Sequence, residues 1–363
     1  MSILRGLAVI AVVLGHAIYW VDLGQMQLAG ASGAGWASTH PLQSPTYHLL
    51  KMIYVLTLFD VPAFLFASGL FIAYANIGGK DIHLSNIGKW IKPLIPPFVI
   101  WVTAHTLISW FPILLFPQEG AAGLLPRLLG ALNLAYYIPL VVQFYLLAPW
   151  ISRLAQKHWQ CLLFGAAVIQ VTSSIIWYLP RLGIPVGNTI ENFSRVSIFF
   201  FGAWAIYFPL GVVWGTYLNK IKTWLDRNRK SVIILAVIAA VLAIIEMETL
   251  GRFPDLLDPS QFSLTTIFYS VSFIAFFFSV SERELSCKHQ LGDIGLKSLG
   301  IYLAHPLVFL TVYRVIKFTI PGMVFYSLAY LPVLFITGFG LPYALGVFLS
   351  KKSKKYIYRY LFG

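Results

Sequence analysis

The sequence predicts an all-α protein: a polytopic membrane helix bundle of about ten transmembrane helices, with both termini inside. Three observations predict it. The 363 residues are 58% hydrophobic and 11% charged, where soluble domains carry roughly 25% charged residues, and the mean hydropathy is +0.78. Apolar stretches near twenty residues recur along the whole length, long enough to cross ~30 Å of hydrocarbon as helix. The basic residues gather in the short gaps between those stretches, as expected where lysine and arginine set the orientation of a membrane chain.

The spans run roughly 3–21, 47–75, 93–113, 131–150, 159–179, 195–215, 231–250, 263–281, 298–317 and 323–349. The first contains RGLAVIAVVLGHA, residues 5–17. No clear small-x-small cleavage site closes it, so it reads as a membrane helix and not as a signal peptide. The second and tenth are long enough to tilt or kink. Pro62, Pro139, Pro332 and Pro342 fall inside expected spans, which is tolerable where neighbours satisfy the freed carbonyls. With the N-terminus inside, 19 of the 26 lysines and arginines lie in cytoplasmic segments, and the acidic stretch EMETLGRFPDLLD, 246–258, lies outside. That excess supports an even number of spans.

The longest gap, roughly 22–46, is too short for a soluble catalytic domain. The expected organisation is one transmembrane domain over 1–350 and a short basic cytoplasmic tail over 351–363. Any chemistry then happens in or against the bundle. The tail KKSKKYIYRY reads as a topology anchor at an anionic lipid surface. The net charge of +13 sits in loops, so nucleic acid is not an expected partner. Cys161 and Cys287 offer neither metal-ligand spacing nor a disulfide framework. No internal repeat is visible, so an inverted-repeat transporter is not supported.

Polar residues inside the spans are the candidate site, because each is unfavourable in lipid unless paired or wet. His16 follows Arg5 by eleven residues, about 16 Å of helical rise and close to three turns. One reading has Arg5 holding an anionic group at the cytoplasmic interface while His16 works at depth. The other has an orienting arginine and a structural histidine. Asp60, midway along the second span, either orients and charges an imidazole or makes a helix-packing hydrogen bond. Ser68 and Gly69 form a small patch where a helix or a ligand approaches. Tyr302 and His305 share a face of the ninth span. Lys89 and Lys92 flank Trp90 as topology charges or as a phosphate-attracting patch. Asn133, Tyr136, Tyr137, Gln143 and Tyr145 are placed to hydrogen-bond a sugar or one another.

Together these pieces resemble the acyltransferase-3 family of integral membrane acyltransferases. Arg5 and His16 match its Arg-ten residues-His opening. PAFLFASGLF, 62–71, resembles its phenylalanine-rich run ending in Ser-Gly, and SLGIYLAHP, 298–306, fits its Ser-x-Gly-x-Tyr-Leu-x-His-Pro. YYIPLVVQFYLLAPW is similar to the subset that handles bacterial cell-surface polysaccharides, including intercellular-adhesin proteins. The resemblance spans essentially the whole chain.

It implies a ten-helix fold and transfer of acetyl or another short acyl group from a cytoplasmic acyl-CoA to a carbohydrate or lipid-linked glycan. On this basis the acyl-CoA is a donor substrate, and no cofactor or metal is held permanently. The resemblance makes His16 essential and Arg5 donor-related, with Lys89 and Lys92 beside it at the coenzyme A phosphates. His16 would act as base directly or through water, or carry the acyl group as an acyl-histidine. Asp60 would orient it, and Tyr302 and His305 would donate to the thioester oxygen. The setting implied is a bacterial plasma membrane, with polysaccharide-synthesis proteins as possible neighbours.

Three departures stand out. Lys89 and Lys92 replace an Arg-x-x-Arg pair and lose its bidentate fork. Asp60 stands near where related sequences place a histidine. The added hydrolase-like domain of many members is not expected here, so transfer would finish in the bundle. The rival expectations are a glycan exporter without acyl chemistry and a non-catalytic partner of a polysaccharide synthase.

Overall fold

The computed structural model describes residues 1–31, 45–75, 82, 84–115, 123–188, 190, 197–250, 261–280, 287–351 and 354–363. These residues are overwhelmingly helical and contain no strand. In chain order the helices are α1 (Ser2–Ala31), α2 (Pro45–Thr57), α3 (Asp60–Ala75), α4 (Leu84–Ile91), α5 (Ile95–Leu115), α6 (Leu124–Leu134), α7 (Tyr137–Lys157) and α8 (Trp159–Arg181). They continue with α9 (Tyr207–Thr216), α10 (Leu218–Arg227), α11 (Arg229–Leu250), α12 (Leu264–Val280), α13 (Lys288–Leu296), α14 (Ser298–Thr319), α15 (Ser327–Leu349) and α16 (Lys355–Phe362). Among the described residues, seven helical segments are long and apolar enough to cross a membrane. Large apolar side chains face outward, as on α11, where Ile234, Val237 and Val241 are exposed. In lipid such a face is solvated by acyl chains.

Two expected spans are corrected, and the second is kept: Pro45–Ala75 is one apolar segment long enough to cross a membrane, interrupted at Leu58 and Phe59 between α2 and α3. The fourth separates into α6 and α7. The sixth is no single helix: 3₁₀ turns at Ser197–Phe199 and Phe201–Trp204 precede the ten-residue α9. The cause is local and repeats. Pro62, Pro139 and Pro209 each stand third in the helix they open. Proline lacks the N–H that would bond four residues back and its ring crowds that carbonyl, so it suits the first turn of a helix and disrupts the interior.

The chain divides into two compact units, each assembled from three stretches of sequence. The first contains Met1–Ala8, Leu58–Ile91 and Tyr136–Gly292; the second contains Val9–Thr57, Lys92–Ala135 and Asp293–Gly363.

In the first unit α3 and α9 cross at glycines. A Cβ at Gly69 would lie 2.1 Å from the Phe208 carbonyl oxygen, and one at Gly211 would lie 2.1 Å from that of Phe66. The two backbones therefore touch, as small residues permit between membrane helices. The Ser-Gly patch thus receives a helix at Gly69. Two glutamines hold the irregular run before α9. Gln143 donates to the Phe199 carbonyl at 2.7 Å and accepts from the Phe201 N–H at 3.2 Å. Gln170 donates to the Ala203 carbonyl and accepts from the Ile206 N–H. Non-helical backbone inside a membrane protein needs this kind of internal satisfaction. Glu246 serves the start of α12 similarly, accepting from the backbone N–H and the hydroxyl of Thr265 and from the Tyr178 hydroxyl.

In the second unit α16 is docked. Phe362 is buried, with its ring filling the space that side chains at Gly300 and Gly346 would take. Trp101 Nε1 donates to the Leu361 carbonyl at 3.0 Å. Lys297 is also buried; it pairs with Asp293, which accepts from the Tyr343 hydroxyl at 2.8 Å. Arg314 donates to the Ile108 carbonyl of α5 at 2.7 Å.

Candidate active site

Because α1 is continuous from Ser2 to Ala31, Arg5 and His16 lie on nearly the same face, about 16 Å apart along the axis. In the second unit His16 meets a residue 289 positions away: His16 Nδ1 lies 2.7 Å from His305 Nε2. The ring centroids are 5.0 Å apart and the planes differ by 22°. That separation equals the nitrogen–nitrogen distance plus two ring radii of about 1.1 Å each, so the rings meet edge to edge along an in-plane hydrogen bond, not face to face. His305 is fully buried and its Nδ1 lies 3.2 Å from the Ile301 carbonyl. His16 is half-buried, and its Nε2 has no partner among the described residues.

α14 presents His305 through its own sequence. Pro306 cannot donate to the Tyr302 carbonyl one turn back, and His305 Nδ1 lies beside the Ile301 carbonyl of the same turn. Gly300 admits Phe362. Tyr302 is buried beside His305, ring centroids 6.0 Å apart, and donates its hydroxyl to the Leu134 carbonyl at 3.0 Å. As a donor to a thioester oxygen it would first have to release that carbonyl.

Asp60 opens α3 in the first unit. Its Oδ1 accepts from the Val61 N–H and from Gln261 Nε2, both at 2.5 Å, and Gln261 accepts from the Tyr136 hydroxyl at 3.2 Å. A carboxylate at a helix N-terminus meets the positive end of the helix dipole. The hydrogen bonds of Asp60 thus go to a helix start and an amide, and the ring bonded to His16 is that of His305.

Arg5 belongs to the first unit, as do Ser68, Tyr137 and Tyr145. Ser68 Oγ lies 3.0 Å from the Tyr137 hydroxyl. Guanidinium and hydroxyl groups are donors suited to phosphate or sugar oxygens. Of the fourth-span polar residues, Tyr136, Tyr137 and Gln143 bond to protein groups. Lys89 lies on α4 and Lys92 in the turn after it; both are exposed.

Sequence reasoning overlooked His105. It lies on α5 in the second unit, and among the described residues neither of its buried ring nitrogens has a hydrogen-bond partner. No motif announced it; a lone histidine in TAHTL is its only signal. Among the described residues, no three His, Cys, Asp or Glu side chains converge as metal ligands.

The acyltransferase domain model Acyl_transf_3 matches residues 1–347. The chain belongs to this acyltransferase family. No curated protein and no solved structure matches it. As a member of the family it is a multi-pass membrane acyltransferase, an enzyme that transfers groups other than aminoacyl groups.

Proposed function

We propose that this acyltransferase moves a short acyl group, acetyl in the first instance, from a cytoplasmic acyl-CoA to a hydroxyl of a carbohydrate or lipid-linked glycan. The observation that carries this reading is the 2.7 Å hydrogen bond between His16 and His305, which leaves one nitrogen of His16 available as a base inside a membrane helix. Acyl transfer needs such a base near neutral pH, within reach of the attacking hydroxyl. The acceptor oxygen loses its proton to His16 as it bonds to the thioester carbonyl carbon. The carbon–sulfur bond then breaks, and the coenzyme A thiolate leaves with the proton that His16 returns.

The remaining roles follow from charge and position. Arg5, with Ser68, Tyr137 and Tyr145, offers donors to phosphate and ribose oxygens of coenzyme A. Exposed Lys89 and Lys92 raise the local concentration of that anion. Asp60 supports the start of α3, and Tyr302 holds the end of α6 beside His305. On this reading the enzyme works in the plasma membrane of a bacterium, alongside proteins that make surface polysaccharide.

The test is transfer of radiolabelled acetyl from acetyl-CoA to extracted membrane glycans by the purified protein in vesicles. Label on glycan is expected. Movement of glycan across the vesicle membrane without label would replace this reading with export. Substituting both Lys89 and Lys92 with Gln is expected to raise the KM for acetyl-CoA about three- to tenfold and to change kcat less than about twofold. An unchanged KM would remove them from the donor path.

A further inference from the structure

The His16–His305 contact contains more information than proximity, because hydrogen-bond polarity propagates along it. The Ile301 carbonyl can only accept, so the His305 nitrogen beside it, Nδ1 at 3.2 Å, must carry the proton. A neutral imidazole with its proton on Nδ1 has a bare Nε2, which can only accept. The atom 2.7 Å from it, His16 Nδ1, must then donate. The proton of neutral His16 is thereby fixed on Nδ1, and its lone pair is fixed on Nε2, the nitrogen without a partner among the described residues.

We propose that His305 is a positioning residue, which holds His16 in the Nδ1–H tautomer so that Nε2 is the atom that receives the acceptor proton. This rests on the acyl-transfer reading for its consequence, and on geometry alone for the tautomer. It reverses the role expected for His305, which accepts from His16 and does not donate to the thioester oxygen. When His16 takes up the proton, its Nδ1–H continues to donate to His305 Nε2 and the imidazolium stays paired. A carboxylate would perform the same alignment, but an ionised one would be a second charge to desolvate at membrane depth. A neutral histidine whose own proton is taken by the backbone avoids that. The rings' 22° interplanar angle keeps donor and lone pair in line, and full burial of His305 excludes water that would compete for His16 Nδ1.

The experiment pairs a tautomer measurement with conservative rescue. In full-length protein with ¹⁵N-labelled histidine, assigned by loss of signal in His16→Gln, the expected spectrum shows His16 protonated at Nδ1 and bare at Nε2. His305→Leu is expected to lower kcat about 10²-fold or more, with the KM for acetyl-CoA within about twofold, as when a catalytic imidazole loses the partner that fixes its tautomer. His305→Gln should recover most of that loss, because its amide oxygen accepts from His16 Nδ1 while its NH₂ donates to the Ile301 carbonyl. A His16 proton on Nε2 in the wild type overturns the proposal, as does a His305→Gln variant as slow as a folded His305→Leu. If His305→Leu does not fold, the wild-type spectrum and the His305→Gln rate decide. Wild-type protein that shows the Nδ1–H tautomer but transfers no acetyl overturns the acyl-transfer reading and leaves the alignment by His305 standing.

Discussion

Replacing His16 with Ala is expected to lower acetyl transfer about 10³-fold, within the range that a general base supplies, while the protein still inserts and folds. The side chain lies on the continuous α1, and among the described residues its hydrogen bond is to His305. Its loss leaves the buried His305 Nε2 without a donor, at about 1–3 kcal/mol, so stability is to be measured beside activity. Size-exclusion behaviour and thermal unfolding in detergent give the first; initial rates of glycan labelling give the second. A folded His16→Ala enzyme with wild-type turnover would remove this histidine from the chemistry, and the acyl-transfer mechanism would need another base.

The largest structural effect is expected at the glycine crossing of α3 and α9. Gly69→Ala and Gly211→Ala would each drive a methyl group to 2.1 Å from a backbone oxygen, well inside van der Waals contact. Backbone cannot swing away as a side chain does, so each substitution should destabilise by about 2 kcal/mol or more, and Gly69→Leu should prevent accumulation of folded protein. Gly165 is the control, because a Cβ there meets nothing within 4 Å. Gly165→Ala should be neutral or raise stability by up to about 1 kcal/mol through helix propensity. Thermal unfolding of the three alanine variants and the yield of folded Gly69→Leu check this; unchanged midpoints for Gly69→Ala and Gly211→Ala would mean that the two backbones do not touch.

Much of the helical plan was legible because it depends on short-range chemistry. Long apolar runs identified the membrane class, and SLGIYLAHP and RGLAVIAVVLGHA drew attention to His305 and His16 before their contact was known. The helix starts are legible too, since Pro62, Pro139 and Pro209 each mark the first turn of a helix. Gly69 was readable only as a place of close approach; its occupant proved to be the backbone of α9. A buried carboxylate and a buried imidazole at similar expected depth suggest a pair. The hydrogen bonds of Asp60 run to Val61 and Gln261, the second partner being 201 residues away. His105 gave no local signal, since an unmet ring nitrogen is a property of its surroundings.

The sequence by itself determined that this chain is a helical membrane protein, where proline forces helices to begin, and which few polar side chains lie within its apolar stretches. Those properties follow from transfer into lipid and from hydrogen bonds made within a turn or two of helix. Only the tertiary structure decided that His16 meets His305, that Asp60 serves a helix start, and that Gln143 and Gln170 secure the irregular run before α9. Lipid solvates every apolar helix face about equally well, so hydropathy carries little information about which helices are neighbours. That choice rests on close packing at glycines and on polar groups from distant segments satisfying one another, and both become visible only when the helices are assembled.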